Sequence, residues 1–201
     1  MGSLTFWNLD QLKSKHNLDI FVETGLGWGD GLQYAARSNF QELYSIELIK
    51  EVIDTYLPKY PVDSRIKIIN SSSSQGLKYL LPLIPKDKNI CFWVDAHFPA
   101  SDVFGIPFDS CADESLRLPL WEELNLIKEL RPNNKDVILM DDAMIFSETK
   151  VFPDNHLKEA FAIKPREHIN YLDKIINLFE ETHDSLLTVK DSGYISFTPK
   201  I

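Results

Sequence analysis

Short β-type runs alternate with helical ones through the first 84 residues: 19–23 then 29–37, 42–47 then 48–56, 65–69 then 75–84. Three such units in a row require a parallel sheet, because parallel neighbours need a long crossover and a helix supplies it. A fourth run over 89–95 is apolar almost throughout, as a central strand buried on both faces should be. The next helix, 119–130, has Pro119 in its first turn and Leu120, Leu124 and Ile127 on one face. A fifth strand over 136–140 follows. Ile169, Leu172, Ile175, Ile176 and Phe179 repeat the helical stripe, and runs 185–190 and 194–198 flank Asp191-Ser192-Gly193, which reads as a hairpin. The expected fold is α/β: a Rossmann-like three-layer sandwich with a seven-stranded, mostly parallel sheet and an antiparallel last strand. With 201 residues and no linker-like stretch, one domain over 1–201 is expected.

Charge narrows the partners. Lys and Arg total 21 against 30 Asp and Glu, a net charge of −9, the opposite of what a broad counterion-releasing surface needs, so no nucleic-acid partner is expected. Cys91 and Cys111 are too few for a disulfide framework or a Cys-rich zinc site, and a reducing, cytoplasmic setting fits them. The longest apolar runs, 79–84 and 90–94, fall far short of the roughly 20 residues that span a bilayer, and residues 1–12 lack the basic-then-apolar pattern of a secretory leader. No membrane partner is expected. Segments 97–118 and 143–165 read as long loops. Both follow strands with acidic ends, at the rim where open α/β sheets bind ligands.

The first strand runs into Glu23-Thr24-Gly25-Leu26-Gly27-Trp28-Gly29-Asp30-Gly31 and then a helix. Glycines at a strand-to-helix turn let backbone approach a ligand where a Cβ would collide. The dinucleotide spacing G-x-G-x-x-G fails in every register, no Gly-Lys-Ser/Thr occurs, and Asp30 at the helix start would repel a pyrophosphate. A ligand without phosphate remains. Glu47 ends the second strand, where a carboxylate can accept from both hydroxyls of a ribose. A nucleoside with a cationic tail suits the set, with Glu23 facing an ammonium. The third strand is followed by Asn70-Ser71-Ser72-Ser73, which reads as a polar loop.

Strand four ends in Asp95-Ala96-His97 and strand five in Asp141-Asp142. On neighbouring parallel strands, Asp95, Asp141 and Asp142 reach one rim. Three close carboxylates repel unless a cation sits among them, and an all-oxygen set suits Mg²⁺ or Mn²⁺. His97, with an ordinary pKa of about 6.5, suits a general base for a substrate hydroxyl. His156, His168 and His183 read as surface residues, while Arg117, Lys150 and Lys158 could meet an anionic acceptor. Phe98, Phe104, Phe108 and Phe146 could cover a sugar face or fill the loop interiors.

Glu23-x-Gly25-x-Gly27-x-Gly29 with Ser45-Ile46-Glu47 resembles the first motifs of class I S-adenosylmethionine-dependent methyltransferases, across nearly the whole chain. The acids after strands four and five resemble those of metal-dependent sugar O-methyltransferases, the macrocin O-methyltransferase type. The resemblance implies that Glu23, Thr24, Gly25, Gly27, Gly29, Glu47 and Ser72 hold S-adenosylmethionine. It further implies that Asp95, Asp141 and Asp142 hold the metal, that Asp95 and His97 act in catalysis, and that the acceptor is a small sugar-like molecule or nucleotide sugar. Phe92-Trp93-Val94-Asp95-Ala96-His97 and Pro119-Leu120-Trp121-Glu122-Glu123-Leu124 also resemble uncharacterised members of that superfamily. Two other readings are a metal-independent N- or carboxyl-methyltransferase and a non-catalytic module that binds the nucleoside.

Overall fold

The structure, a computed structural model, describes residues 3–108, 110–132, 135–147, 152–153 and 170–200, apart from the side chain of Asp102. Seven strands form one sheet: β1 (Leu18–Thr24), β2 (Glu42–Glu47), β3 (Ile66–Asn70), β4 (Asn89–Val94), β5 (Val137–Met140), β6 (His183–Thr188) and β7 (Tyr194–Pro199). Their order is β3-β2-β1-β4-β5-β7-β6. The first five are parallel, β7 runs antiparallel to β5, and β6 runs antiparallel to β7. This is the expected seven-stranded Rossmann-like sandwich.

Alternation along the central strands builds its two cores. Ile20 and Val22, Ile90, Phe92 and Val94, and Ile138 and Met140 face helices α4 (Ser73–Leu80), α7 (Leu120–Leu130) and α8 (Leu172–Ile176). The intervening Phe21, Cys91, Trp93, Val137 and Leu139 face α1 (Leu9–His16), α2 (Asp30–Arg37) and α3 (Lys50–Tyr56). Each such side chain contributes about 1.5–3 kcal/mol on burial, so strands apolar on both faces must take the middle of the sheet. Burial also pushes the Cys91 thiol well up, leaving it a packing residue.

Three sequence expectations change. Residues 9–16, to which the sequence pattern gave no element, form α1: Asn8 caps it by accepting from the Gln11 amide at 3.0 Å, and Asn17 ends it in the left-handed region. The helix expected over 75–84 stops at Leu80, and a single 3₁₀ turn carries Pro82. Segment 97–118 holds two one-turn helices, α5 (Ser101–Phe104) and α6 (Glu114–Arg117), the latter capped by Asp113. Of segment 143–165, Ala143–Phe146 form a 3₁₀ turn. Lys150, Lys158, His156, His168 and Ile169 lie outside the described residues.

The crossover leaves β1 toward β2 on one side and reaches β4 on the other, so a crevice opens between the carboxyl ends of β1 and β4. Both singled-out motifs end there.

Candidate active site

A cavity of about 430 Å³ fills that crevice, a size usual for a small-molecule site. Of the expected donor residues, Glu23, Gly25, Gly27, Glu47 and Ser72 border it, and so do Asp95, His97, Asp141 and Asp142. Thr24 and Gly29 do not face it. Thr24 is buried beneath, where its hydroxyl accepts from the Asp95 amide at 3.3 Å. Gly29 closes the loop turn by donating its amide to the Leu26 carbonyl at 2.8 Å.

The glycine loop is fixed by its own backbone and by Glu47. Gly25 has φ of +83°, and a Cβ there would sit 3.1 Å from the Asp95 carbonyl oxygen, so the β1 and β4 ends approach this closely only with glycine. The Glu47 carboxylate accepts from the Leu26 amide at 2.9 Å and the Ile49 amide at 2.8 Å. One side chain therefore holds the loop after β1 to the loop after β2. Asn70, the last residue of β3, donates its side-chain amide to the Glu47 carbonyl at 2.9 Å and supports that turn. Ser72 and the buried Ser73 line the adjoining wall.

Glu23 lies deeper than the sequence suggests. It is 1% exposed, accepts from the Ser45 hydroxyl at 2.7 Å, and one oxygen lies 2.9 Å from where a Cβ on Gly31 would stand. Gly31 thus makes room for the carboxyl, a role the loop pattern alone did not reveal. Burial outweighs the Ser45 hydrogen bond and pushes Glu23 up to about 8, with the charge of Glu47 adding to the rise. Because the folded state binds this proton more tightly than the unfolded chain, its stabilising effect is full below pH 4.5 and is lost as pH rises through about 8. Thermal melts of Glu23→Gln should show a flatter decline between those limits than the parent, with the larger gain in Tm at pH 8. Parallel curves would contradict the burial argument.

At the other end of the cavity the carboxylates do not assemble as expected. The groups that converge among the described residues are Asp95, His97 and Asp142, with one ligand atom of each within 4.8 Å of the others. His97 Nε2 stands 2.6 Å from Asp142 Oδ2 and 3.5 Å from Asp95 Oδ1. Asp141 borders the cavity but is tied elsewhere: its Oδ1 accepts from the Asp142 amide at 2.7 Å and the Ser192 hydroxyl at 3.2 Å. Burial first, then the neighbouring Asp142, pushes Asp141 up to about 7. The cause of the divergence is backbone. Consecutive residues at a strand end point to opposite sides, and Asp142 adds a left-handed turn at φ 52°. That turn is held by the Ala143 and Met144 amides donating to the Gly193 and Ser192 carbonyls at 2.9 Å. Asp142 is thereby aimed at the β4 loop and Asp141 at the β6–β7 turn. His97 takes the third place in the cluster, where an acid was expected.

Two more sequence candidates are accounted for. Arg117 is fully buried and paired with Glu114 at 2.7 Å, so it braces the loop over the site rather than meeting an acceptor. Phe98 and Phe108 pack edge to face with 5.1 Å between ring centres, and Phe98 also borders the cavity.

Comparison with known proteins agrees with this architecture. No family model and no curated sequence matches the chain. Among solved structures, it is similar to the S-adenosylhomocysteine-bound methyltransferase PaMTH1 of Podospora anserina, at 16% identity and a TM-score of 0.63, covering 96% of this chain and 76% of that one. An O-methyltransferase from Bacillus cereus in complex with S-adenosylhomocysteine gives 14% identity and a TM-score of 0.60, covering 100% and 83%. TomG of Streptomyces achromogenes, an O-methyltransferase of tomaymycin synthesis in complex with S-adenosylmethionine, gives 14% and 0.52, covering 96% and 78%. The chain has the fold of the class I S-adenosylmethionine-dependent methyltransferases, as the sequence resemblance implied.

Proposed function

We propose that this protein is an S-adenosylmethionine-dependent methyltransferase that O-methylates a small hydroxylated, sugar-like acceptor with the help of a divalent ion. The observation that carries the reading is one cavity holding two separate devices: the Glu47-braced glycine loop, and the Asp95, His97 and Asp142 cluster. The similar structures crystallised with the donor or its product support the first half.

Glu47 presents a carboxylate whose orientation is fixed before any ligand arrives, suited to accept from vicinal ribose hydroxyls. Gly25 and Gly27 line the path between Glu47 and the cluster, where an amino-acid tail can lie against backbone. Near neutral pH Glu23 holds a proton, and an ammonium arriving beside it favours release of that proton, so donor affinity rises with pH toward 8. Methyl transfer is an in-line displacement at sulfur, so the protein's work is alignment of acceptor oxygen, methyl carbon and sulfur, together with removal of the acceptor's proton.

The donor set of two carboxylates and an imidazole fits Mn²⁺ well and Mg²⁺ less well, since imidazole favours the transition metals. When bound, such an ion supplies a fixed position and a lowered pKa for the acceptor hydroxyl. Asp95, His97 and Asp142 would hold it, with Asp141 and Ser192 bracing the Asp142 turn from behind.

The 2.6 Å approach of His97 to Asp142 favours a second, metal-free reading, in which Asp142 orients His97 as general base. Chelation separates the two. Excess EDTA should remove most turnover, measured as transfer of labelled methyl to a panel of polyols and sugars, and Mn²⁺ should restore it. Turnover untouched by EDTA assigns the chemistry to the His97–Asp142 pair. No helix among the described residues is long and apolar enough to cross a membrane. We place the protein in the cytoplasm, acting on a small molecule as a single domain.

A further inference from the structure

The glycine loop is an arch, and each of its shoulders is pinned by a side chain from another part of the chain. On the β1 side the Leu26 amide is held by the Glu47 carboxylate. On the α2 side the Trp28 carbonyl accepts from the Tyr60 hydroxyl at 2.7 Å. Gly27 stands between them as the crest: it borders the cavity, has φ of +51°, and a Cβ there would meet nothing within 4 Å. Gly29 is glycine for a different reason. Its φ is +82°, and a Cβ would stand 2.7 Å from the Tyr60 ring, so that ring lies against bare backbone.

Tyr60 is itself fixed. It follows α3 and the 3₁₀ turn Leu57–Lys59, where its amide donates to the Leu57 carbonyl at 3.2 Å. Further along, the Arg65 guanidinium donates to the Ala36 carbonyl at 2.8 Å and the Phe40 carbonyl at 3.0 Å, at the far end of α2. The segment 60–65 therefore grips α2 at both ends, with the glycine loop at the nearer one. Burial and the neighbouring Asp30 hold the Tyr60 phenol above its ordinary pKa, so the donor proton stays in place through the neutral range. Trp28 borders the cavity, and its ring packs against Tyr56 with 4.9 Å between centres. We propose that Tyr60 is a positioning residue for the donor's amino-acid tail: its hydroxyl latches the Trp28 carbonyl and so holds the Gly27 crest at a fixed height in the cavity. The proposal rests on the methyltransferase reading for the identity of the ligand, but not for the latch itself.

The test uses the full chain and three readouts: thermal melting, hydrogen exchange of the peptide covering 25–31, and calorimetry with two ligands. One ligand is S-adenosylhomocysteine, and the other is 5′-methylthioadenosine, a nucleoside thioether without the amino-acid tail. Tyr60→Phe keeps the ring over Gly29 and removes only the hydroxyl. It should melt as the parent does, exchange about 5-fold faster at the Leu26 and Gly29 amides, and bind S-adenosylhomocysteine about 5-fold more weakly, the effect of one net hydrogen bond. Affinity for 5′-methylthioadenosine should stay within about 1.5-fold, because the Glu47 end of the cavity is untouched. Tyr60→Leu, which also uncovers Gly29, should show the same selectivity with a larger rise in exchange. Parental exchange in Tyr60→Phe overturns the proposal, and so does faster exchange with parental affinity for S-adenosylhomocysteine. Equal weakening of both ligands together with a lower melting temperature also overturns it, since that describes a packing residue only. If the parent binds neither ligand, the methyltransferase reading fails, while the exchange data still decide the latch.

Discussion

Asp142→Asn should lower methyl transfer by about 10²- to 10⁴-fold, the span expected when an oriented proton-transfer or ion-holding group is lost. Affinity for S-adenosylhomocysteine should stay within about twofold, because the changed atoms lie at the far end of the cavity from Glu47. The substitution suits the question. Asp142 sits at φ 52°, a region asparagine tolerates as well as aspartate does, and its turn is held by backbone hydrogen bonds that the change leaves intact. What disappears is the charge beside His97 Nε2. Both the metal-assisted and the metal-free readings require that charge, so full turnover in Asp142→Asn contradicts both. Asp141→Asn makes the contrast: its side chain braces the Ser192 turn, so its loss should appear first as lower stability and only then as lower turnover.

The second large effect belongs to Glu47. Glu47→Ala should weaken S-adenosylhomocysteine binding by about 10²-fold or more, since hydrogen bonds to a charged acceptor contribute about 1.5–3 kcal/mol each and two ribose hydroxyls are at stake. The Leu26 and Ile49 amides also lose their acceptor, so the glycine loop loosens at the same time. Glu47→Gln keeps one oxygen acceptor and should fall between. Calorimetry gives the affinities directly. An unchanged affinity in Glu47→Ala would mean that the nucleoside sits elsewhere, whatever the fold.

The sheet was readable because its signals are local and repeated. Alternation in β1, β4 and β5 sorts side chains to two faces, and glycine and acidic residues mark the strand ends that form the rim. Helix α1 escaped for the opposite reason. It is eight residues long, polar on average, and buries only Leu9 and His16, so periodicity is weak and the evidence lies in the Asn8 and Asn17 caps. The site was readable by residue type but not by direction. Two adjacent aspartates after β5 look equivalent in a sequence, yet pleat alternation and one left-handed residue send them to different partners. His97 looked like a base and sits where a ligand was expected, a matter of loop path that no spacing rule gives. Glu23 looked like an exposed counter-charge because burial at a strand end depends on what packs above it, here the Gly31 backbone.

That a phosphate-free sulfonium nucleoside is the ligand of the β1–β4 crevice can be put to one titration. Calorimetry of the purified chain with S-adenosylhomocysteine, with NADH in a parallel cell, should give saturable one-to-one binding of the former and none of the latter. Binding of NADH with silence from S-adenosylhomocysteine would contradict the account at its root.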